Sequence, residues 1–243
     1  MDSEHIVKSY DEDLEQLDHM IAEMGGLCET QLSEAVDALV RRDPELAEKV
    51  VAGDKKIDAL EQEIDAFAVK LLALRQPMAE DLRMVIAALK VSGNLERVGD
   101  YAKNVAKRAI TISREERIGS GDSTIARMAR IVQGMIKNAL DAYVARDADL
   151  AHDVRLRDEE VDQLHSSLFR ELLTYMMEDP RNITTCTHLL FIAKNLERIG
   201  DHITSVAEQI VFRVSGMAPE EERPKGDSTS SAIIEKAKPA NSD

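Results

Sequence analysis

The chain carries the same seven-residue stretch twice. NLERVGD at 94–100 returns as NLERIGD at 195–201, with six of seven residues identical at an offset of 101 positions. Each copy contains two acidic residues four positions apart, and residues with this spacing share one face of a helix. A repeated motif of this length indicates that the chain arose by internal duplication.

A second repeated pattern of acids supports the duplication. DKKID at 54–58 matches DEEVD at 158–162 at an offset of 104, and the same offset relates Asp43 of VRRDPEL to Asp147 of VARDADL. The offset falls to 101 at the seven-residue motif, so the second copy lacks three residues before its final hairpin.

Apolar residues recur at helical spacing along nearly the whole chain, and turn signals divide the pattern into six helices. The breaks fall at Asp43-Pro44, Gln76-Pro77, GSGDS at 119–123, Asp147, Asp179-Pro180 and Ser215-Gly216. The third helix is predicted to reach about Ile112, and Gly25-Gly26 marks a point where the first helix can bend. Asp43, Asp147 and either Asp122 or Ser123 are the predicted N-caps.

The composition agrees with a helical fold, because aromatic residues make up only 3% of the chain and Trp is absent. We predict an all-α protein of two tandem three-helix bundles, over residues 1–118 and 122–216. The segment 217–243 contains Pro219, Pro224 and the run DSTSS. It has little apolar surface to bury, so we predict a disordered tail.

The balance of charge limits the possible partners. Acidic residues outnumber basic ones by 46 to 31, which gives a formal net charge of −15. This charge disfavours nucleic-acid binding and suits cations or a partner with a basic patch. No signal-peptide core and no membrane-spanning apolar run occurs, and Cys28 and Cys186 form no CxxC motif. We therefore expect a cytoplasmic protein that does not insert into a membrane and whose cysteines are packing residues.

A helical wheel separates the motif acids from the core. The predicted core stripes are Met84, Ala87, Val91, Leu95, Val98, Ala102, Val105 and Ala109 in the third helix, and Thr185, His188, Ile192, Leu196, Ile199, Ile203, Val206 and Ile210 in the sixth. Glu96, Asp100, Glu197 and Asp201 lie opposite these stripes, so we expect them to point away from the main packing face.

The acids of neighbouring helices are matched in height. Counted from Gln76, Asp58 lies 18 residues before the turn and Glu96 lies 20 after it. The other acids of each half agree to within two residues, or about 3 Å along the helix axis. Each half is thus predicted to gather four carboxylates, namely Asp54, Asp58, Glu96 and Asp100 in the first and Asp158, Asp162, Glu197 and Asp201 in the second.

Four clustered carboxylates repel one another unless a cation joins them. A divalent or trivalent metal ion is the natural neutraliser, because hard cations prefer carboxylate oxygens. Alternatively, Arg97 and Arg198 neutralise the acids, with Lys103 one turn past Asp100, and the bundle is then a metal-free adaptor. Gly99 and Gly200 precede the second acid of each motif, and their return suggests close approach of another helix or of a bound cluster.

A di-metal carboxylate enzyme is the alternative from another class of protein. Such bundles use Glu-x-x-His on two helices, whereas this chain offers Asp-x-x-His at 149–152 and 162–165, neither of them duplicated. No evident nucleophile or general base accompanies the acids, so we predict that the chain is not an enzyme. His202 corresponds to Tyr101 in the first copy, and His188 falls on the core stripe, so neither is a predicted ligand.

Two helix triplets, each with D-x-x-x-D on its second helix and LER-[VI]-G-D on its third, closely resemble the PhoU family of phosphate-signalling proteins. The resemblance covers roughly residues 4–215, including RQPMAEDLR at 75–83. It implies a cytoplasmic, mostly dimeric accessory protein that links a phosphate-sensing histidine kinase to the ATPase subunit of the phosphate transporter. Such a protein represses phosphate-starvation genes and restrains uptake when phosphate is plentiful.

The resemblance also implies a cofactor. Family members hold multinuclear iron or other metals on E(D)xxxD motifs, which correspond here to the eight acids of the two predicted clusters; zinc, manganese and magnesium are the other candidates. The chain departs from the family pattern before its second LER, where EDPRNIT replaces a fuller QPMAEDLR. We therefore expect the helix-end contacts of the second half to differ from those of the first.

Overall fold

The computed structural model describes residues 2–217 and 219, and these residues form helices and turns without any strand. The helices are α1 (Asp2–Arg41), α2 (Pro44–Gly53), α3 (Lys55–Arg75), α4 (Glu80–Ile112), α5 (Gly121–Ala145), α6 (Ala148–Glu178) and α7 (Ile183–Ser215), with a 3₁₀ turn at Pro180–Asn182. The predicted all-α class is confirmed. The predicted disordered tail lies outside the described residues, apart from its first positions.

The second predicted helix is divided into α2 and α3. The interruption is confined to Asp54, whose own backbone stays in the right-handed helical region at φ −54 and ψ −33. Its carbonyl accepts from the backbone N–H groups of Ile57 and Asp58, at 2.9 and 3.2 Å. Helices α2 and α3 therefore form one interrupted helix, the second of six long ones, and the interruption falls on a candidate ligand.

Both aspartate caps predicted at equivalent positions are confirmed. The Asp43 carboxylate accepts from the backbone N–H of Leu46 at 3.0 Å, and Asp147 accepts from Leu150 at 2.9 Å. Each carboxylate thereby satisfies a backbone donor that the first helical turn leaves without a partner. The two halves thus begin their second helix in the same way.

The prediction of an N-cap at Asp122 or Ser123 is wrong. Helix α5 already begins at Gly121, so both residues lie within its first turn. The Ser123 hydroxyl donates to the carbonyl of Ser120, and the Asp122 carboxylate binds Arg42 at 3.1 Å. The Asp122 side chain therefore forms a long-range ion pair instead of the helix cap that the local sequence predicted.

Helix α1 runs through Gly25 and Gly26 without an interruption. An added Cβ at Gly25 would lie 2.1 Å from Cδ2 of Leu140, so a larger residue at this position would force the Leu140 side chain of α5 to move. At the other end of the fold, α7 ends at Ser215, where Gly216 takes the left-handed conformation at φ 77. The predicted terminator is confirmed.

The two helix triplets share one core. Helices α1 to α4 form the first bundle and α5 to α7 the second, while α4 packs along α7 and α1 along α5. The buried apolar side chains of both bundles make a single contiguous cluster. All the stripe residues predicted in the third and sixth helices are buried except His188, which is partly exposed. Cys28 and Cys186 are buried free thiols, as predicted.

Two ion pairs join the bundles at equivalent aspartates, since Asp18 and Asp122 are related by the offset of 104. Asp18 binds the buried guanidinium of Arg213 at 2.6 Å and accepts from the Tyr143 hydroxyl at 2.8 Å. Asp122 binds Arg42, which also donates to the carbonyl at the end of α4 at 2.6 Å.

None of the described helices has the length and apolar character required to cross a bilayer.

Candidate functional site

The first cluster forms around a lysine. The Lys103 ammonium donates to Oδ2 of Asp54 and, at 2.5 Å, to Oδ1 of Asp100. Gln31 of α1 donates from Nε2 to the other oxygen of Asp54 and to the carbonyl of Gly99, at 2.9 Å in both cases. The structure thus brings Asp54 and Asp100 together, and both oxygens of Asp54 accept hydrogen bonds.

The remaining acids of this cluster, Asp58 and Glu96, are partly exposed. Desolvation raises the pKa of Glu96, as does the charge of Asp100, while Arg97 lowers it and Asp58 raises it again. Arg97 contacts Glu96 at 3.4 Å and Asp100 at 3.5 Å from a side chain that is 57% exposed. In this half the proposed neutralisers Arg97 and Lys103 both contact the acids.

The groups around Lys103 favour its charged form. Desolvation works against the ammonium, but the hydrogen bonds to Asp100 and Asp54 and the charges of both carboxylates outweigh it and raise the pKa of Lys103. A group in this setting stays protonated throughout the physiological range. The first cluster therefore contains a permanent internal cation.

The second cluster is more deeply buried. Asp158, Asp162 and Glu197 are 1%, 4% and 6% exposed, and Asp201 is partly exposed. Glu197 departs from the wheel prediction, which placed it away from the packing surface. The reason is that α7 packs against α4, α5 and α6, so little of its circumference faces solvent.

Glu197 has an incompletely satisfied carboxylate. Its Oε1 accepts from the Lys194 ammonium at 2.8 Å, while its Oε2 is buried and has no hydrogen-bond partner. Burial raises the pKa of Glu197; Lys194 lowers it, and the charges of Asp201 and Asp162 raise it. The second cluster therefore combines converging negative charge with a buried oxygen that lacks a donor.

Arg198 is placed differently from its counterpart Arg97. Its guanidinium lies over the ring of Tyr101, 5.6 Å from the centroid. The Tyr101 ring contacts that of His202, and Nδ1 of His202 lies 2.8 Å from Oδ1 of Asn94. Arg198 therefore takes part in the interface between α4 and α7, where the two motifs meet.

The repeated glycines do not serve the two clusters equally. A Cβ added at Gly99 would lie 3.0 Å from Cδ1 of Ile57, which makes this glycine a point of helix contact. A Cβ added at Gly200 would lie 2.5 Å from Oδ1 of Asp158. In the second half, the absent side chain makes room for a candidate ligand.

The acids suit a hard cation by their chemistry, because all eight offer carboxylate oxygens. As the described side chains are placed, however, no three or more His, Cys, Asp or Glu residues form a group that could hold a metal ion. In the first cluster the cations Lys103 and Arg97 already contact the carboxylates. Sequence reasoning missed Gln31 and Lys194, which lie outside the repeated motifs and carry no signal of their own.

The duplicated bundle and its twice-written acid motif define a tandem-repeat helical protein with paired carboxylate clusters. The family model for the PhoU domain matches the chain twice, at residues 21–109 and 125–210. The chain belongs to the PhoU family.

Curated relatives cover almost the whole chain. The phosphate-specific transport system accessory protein PhoU homolog of Caulobacter vibrioides (strain NA1000 / CB15N) is 52% identical over 93% of this chain and 98% of its own length. The protein of the same name from Rhizobium meliloti (strain 1021) is 47% identical over 95% of this chain and 97% of its own. These names describe accessory proteins, and the PhoU family is not a family of enzymes.

Solved structures show the same fold. PhoU from Pseudomonas aeruginosa superposes with a TM-score of 0.83 at 41% identity, over 86% of this chain and all of its own. The phosphate transport system regulatory protein PhoU from Streptococcus pneumoniae superposes with a TM-score of 0.81 at 28% identity, over 87% of this chain and all of its own. The predicted tandem PhoU-like fold is confirmed.

Proposed function

We propose that this chain regulates phosphate uptake and phosphate-starvation signalling. In this proposal it is a non-enzymatic cytoplasmic scaffold that links the ATPase subunit of a phosphate ABC transporter to a phosphate-sensing histidine kinase. It represses the phosphate-starvation genes when phosphate is plentiful. The observation that carries the proposal is the 52% identity, over 93% of the chain, to a phosphate-specific transport system accessory protein homolog.

The fold supports the role of a scaffold. A single core runs through both bundles, and partly buried ion pairs tie the end of α1 to α5 and α1 itself to α7, so the two halves present their outer surfaces in a fixed relation. The net charge of −15 favours a partner with a basic patch. We also propose that the scaffold acts as a homodimer.

The metal-binding part of the proposal rests on the carboxylate clusters. Asp54, Asp58, Glu96 and Asp100 would hold metal in the first half, and Asp158, Asp162, Glu197 and Asp201 in the second, with iron as the first candidate. A bound cation would supply the positive charge that offsets repulsion between buried carboxylates. The buried oxygen of Glu197 that lacks a hydrogen-bond donor supports this proposal most directly.

Deletion of the gene tests the regulatory role. We expect a reporter of the phosphate-starvation genes to rise in phosphate-rich medium and to return to its basal level when the wild-type gene is restored. A reporter that stays at its basal level in the deletion strain would overturn the proposal.

The scaffold role calls for a direct binding experiment. The purified full-length chain is immobilised and challenged separately with the transporter ATPase subunit and with the cytoplasmic part of the sensor kinase. Retention of both supports the link, whereas retention of neither contradicts it. An unrelated ATPase subunit of another transporter is the control for charge-driven adsorption, which also disappears at high salt.

Elemental analysis tests the metal-binding part. The wild-type protein is compared with a variant that carries Glu96→Ala, Asp100→Ala, Glu197→Ala and Asp201→Ala. We expect the variant to lose the metal that the wild type retains after purification and dialysis. Equal metal content in the two proteins would show that the clusters do not hold it.

A further inference from the structure

The two junctions between the bundles are built from equivalent residues. Arg42 corresponds to Arg146 at the offset of 104, and each directly follows a helix in the left-handed conformation, at φ 55 and φ 54. The same offset relates Asp122 to Asp18. At the first junction Arg42 binds Asp122 at 3.1 Å. A copy of this contact at the second junction would join Arg146 to Asp18.

An additional arginine changes the second junction. Asp18 binds Arg213, which stands on α7 where the first half has Ile112 on α4, at the offset of 101. The nearest acid to Arg146 is instead Glu80, whose Oε1 lies 3.8 Å from Nη1 and whose side chain is 72% exposed. Exposed ion pairs of this kind contribute little to stability, so Arg146 has only a weak partner.

Arg213 has more donors than partners. Its side chain is 3% exposed, and Nη2 bonds to Asp18 at 2.6 Å, whereas Nη1 is buried without a hydrogen-bond partner among the described residues. At the first junction Nε of Arg42 also lacks a partner, but both of its terminal nitrogens are bonded, to Asp122 and to the carbonyl of Ile112. A buried charged donor without an acceptor is unfavourable. The second junction therefore lacks an acceptor that the first junction has.

A further buried donor lies on α4. Arg83 packs against the end of α7, where a Cβ added at Gly216 would lie 3.6 Å from Cζ of the arginine. Its Nε is buried and has no hydrogen-bond partner in the described part of the chain. At the offset of 101 Arg83 corresponds to Thr184, so the first junction has no counterpart to this third guanidinium.

Two of these arginines line a small cavity, which we call the arginine cavity. Its volume is about 80 Å³, and its lining residues are Glu80, Met84, Arg146, Arg213 and Val214. Drug-sized ligands need about 300–1,000 Å³, whereas a single water molecule needs about 10–15 Å³. The cavity therefore has the size for a small inorganic ion and not for a nucleotide or a peptide.

The local balance of charge is positive. Three arginines stand against the two acids that contact them, Asp18 and Glu80, and the exposed side chain of Glu80 can turn to solvent. The net charge of −15 opposes an anion at long range, but salt at about 0.1 M screens charges more than about 10 Å apart. An anion in the cavity would therefore respond mainly to the nearby guanidinium groups.

We propose that the arginine cavity binds free inorganic phosphate. Guanidinium groups bind tetrahedral oxyanions through paired, charge-assisted hydrogen bonds, and Arg213 and Arg83 each have a buried donor without an acceptor. Arg146 adds a third guanidinium from the exposed side of the cavity. The site lies outside both acid clusters. The choice of phosphate among oxyanions of this shape rests on the proposed function, whereas the site itself rests on the geometry.

Isothermal titration calorimetry of the full-length protein provides the test, in a chloride buffer of constant ionic strength. We expect saturable binding of one inorganic phosphate per chain. Sulfate is titrated separately, because it has the same shape, and we expect it to bind no more tightly than phosphate. Tighter binding of sulfate would overturn the assignment of phosphate.

Single substitutions locate the bound ion. Arg146→Gln and Arg83→Gln should each weaken phosphate binding about tenfold, because each removes a charged hydrogen-bond donor. Glu80→Gln removes the acid beside Arg146 and should strengthen binding about threefold, a gain that damage to the fold cannot produce. Arg130→Gln changes an exposed arginine on α5 and should have no effect.

The glutamates at 220–222 are the competing anions, because they follow α7 closely in the sequence. A variant with all three replaced by glutamine should bind phosphate as the wild type does. Phosphate binding by this variant but not by the wild type would show that carboxylates of the chain occupy the cavity, and it would overturn the proposal of a site for free phosphate.

Two further results would overturn the inference. The first is wild-type protein without saturable binding up to about 10 mM phosphate, a concentration that would reveal even a millimolar dissociation constant. The second is wild-type affinity in both Arg146→Gln and Arg83→Gln, which would place the bound ion elsewhere. Neither result changes the reporter expected in the deletion strain, so failure of the phosphate site is distinct from failure of the regulatory proposal.

Discussion

The first and second halves place different side chains around the same acids. In the first half Lys103 and Arg97 contact the carboxylates, whereas in the second Lys194 contacts Glu197 and Arg198 lies over Tyr101. The repeated motif sets where the acids stand along the helix, and residues outside it decide what the acids meet. Duplication has therefore preserved the positions of the acids while their electrostatic surroundings have diverged.

The same comparison extends to the ion pairs between the bundles. The Arg213 side chain is 3% exposed and its NH1 is buried without a hydrogen-bond partner, so its charge depends heavily on Asp18. The Arg42 side chain is 12% exposed and also donates to the carbonyl of Ile112. Equivalent aspartates thus support arginines that differ in burial and in their other partners.

The largest expected effect comes from removing these two aspartates in turn. Asp18→Ala leaves Arg213 buried and takes an acceptor from Tyr143, so we expect a loss of about 3 kcal/mol in the free energy of unfolding. Asp122→Ala should cost about 1–2 kcal/mol, since Arg42 keeps its bond to a carbonyl. Urea unfolding measures both, and the asymmetry would be refuted by an equal or larger loss for Asp122→Ala.

A smaller effect is expected at the repeated glycines. Gly200→Ala forces the Asp158 carboxylate to move, and we expect the affinity for metal to fall about tenfold, as for other changes that misplace a ligand. The Cβ of Gly99→Ala would press on Ile57 at 3.0 Å but would make only an ordinary contact, 3.5 Å, with Oδ1 of Asp54, so this variant should leave metal affinity unchanged. Titration of the metal-free Gly200→Ala and Gly99→Ala proteins with manganese measures both affinities. Equal affinities in the two variants would show that the two glycines do not differ in their effect on metal binding.

The smallest effect is expected at a histidine that only the second half carries, since His188 corresponds to Ala87. Desolvation lowers the pKa of His188 below its ordinary value of 6.5, and the charge of Arg108 lowers it further. The unfolded chain therefore binds the proton more readily than the folded one, so His188 makes stability fall as pH drops through and below 6.5.

His188→Ala should flatten this part of the stability profile while leaving the profile above neutral pH unchanged in slope. Chemical unfolding at a series of pH values gives both slopes, and Ala87→Gly serves as a control that changes the equivalent position without a titrating group. Parallel profiles for His188→Ala and wild type below pH 6.5 would show that His188 does not contribute to the pH dependence of stability.

The repeat, the helix class and most helix ends were accessible from sequence because they depend on local signals. Asp43 and Asp147 cap their helices by contacts within one turn, and Gly216 ends α7 through its own backbone conformation. Such contacts involve residues that are neighbours in the chain, and a pattern of residue types is sufficient to find them.

The surroundings of the acids were not accessible, because they depend on how whole helices are placed. A wheel treats one helix at a time, and it could not show that α4, α5 and α6 all pack against α7, the helix that carries Glu197. Gln31 reaches Asp54 only because α1 presents that face to the junction of α2 and α3. For the same reason, the local sequence predicted a cap at Asp122, because its partner Arg42 lies eighty positions away in the chain.

The most direct test of the difference between the halves is a high-resolution crystal structure of the purified protein. We predict that the ammonium of Lys103 lies between Asp54 and Asp100, while the guanidinium of Arg198 lies over the ring of Tyr101. A Lys103 side chain turned away from both aspartates, or an Arg198 side chain in contact with Glu197 or Asp201, would contradict this difference.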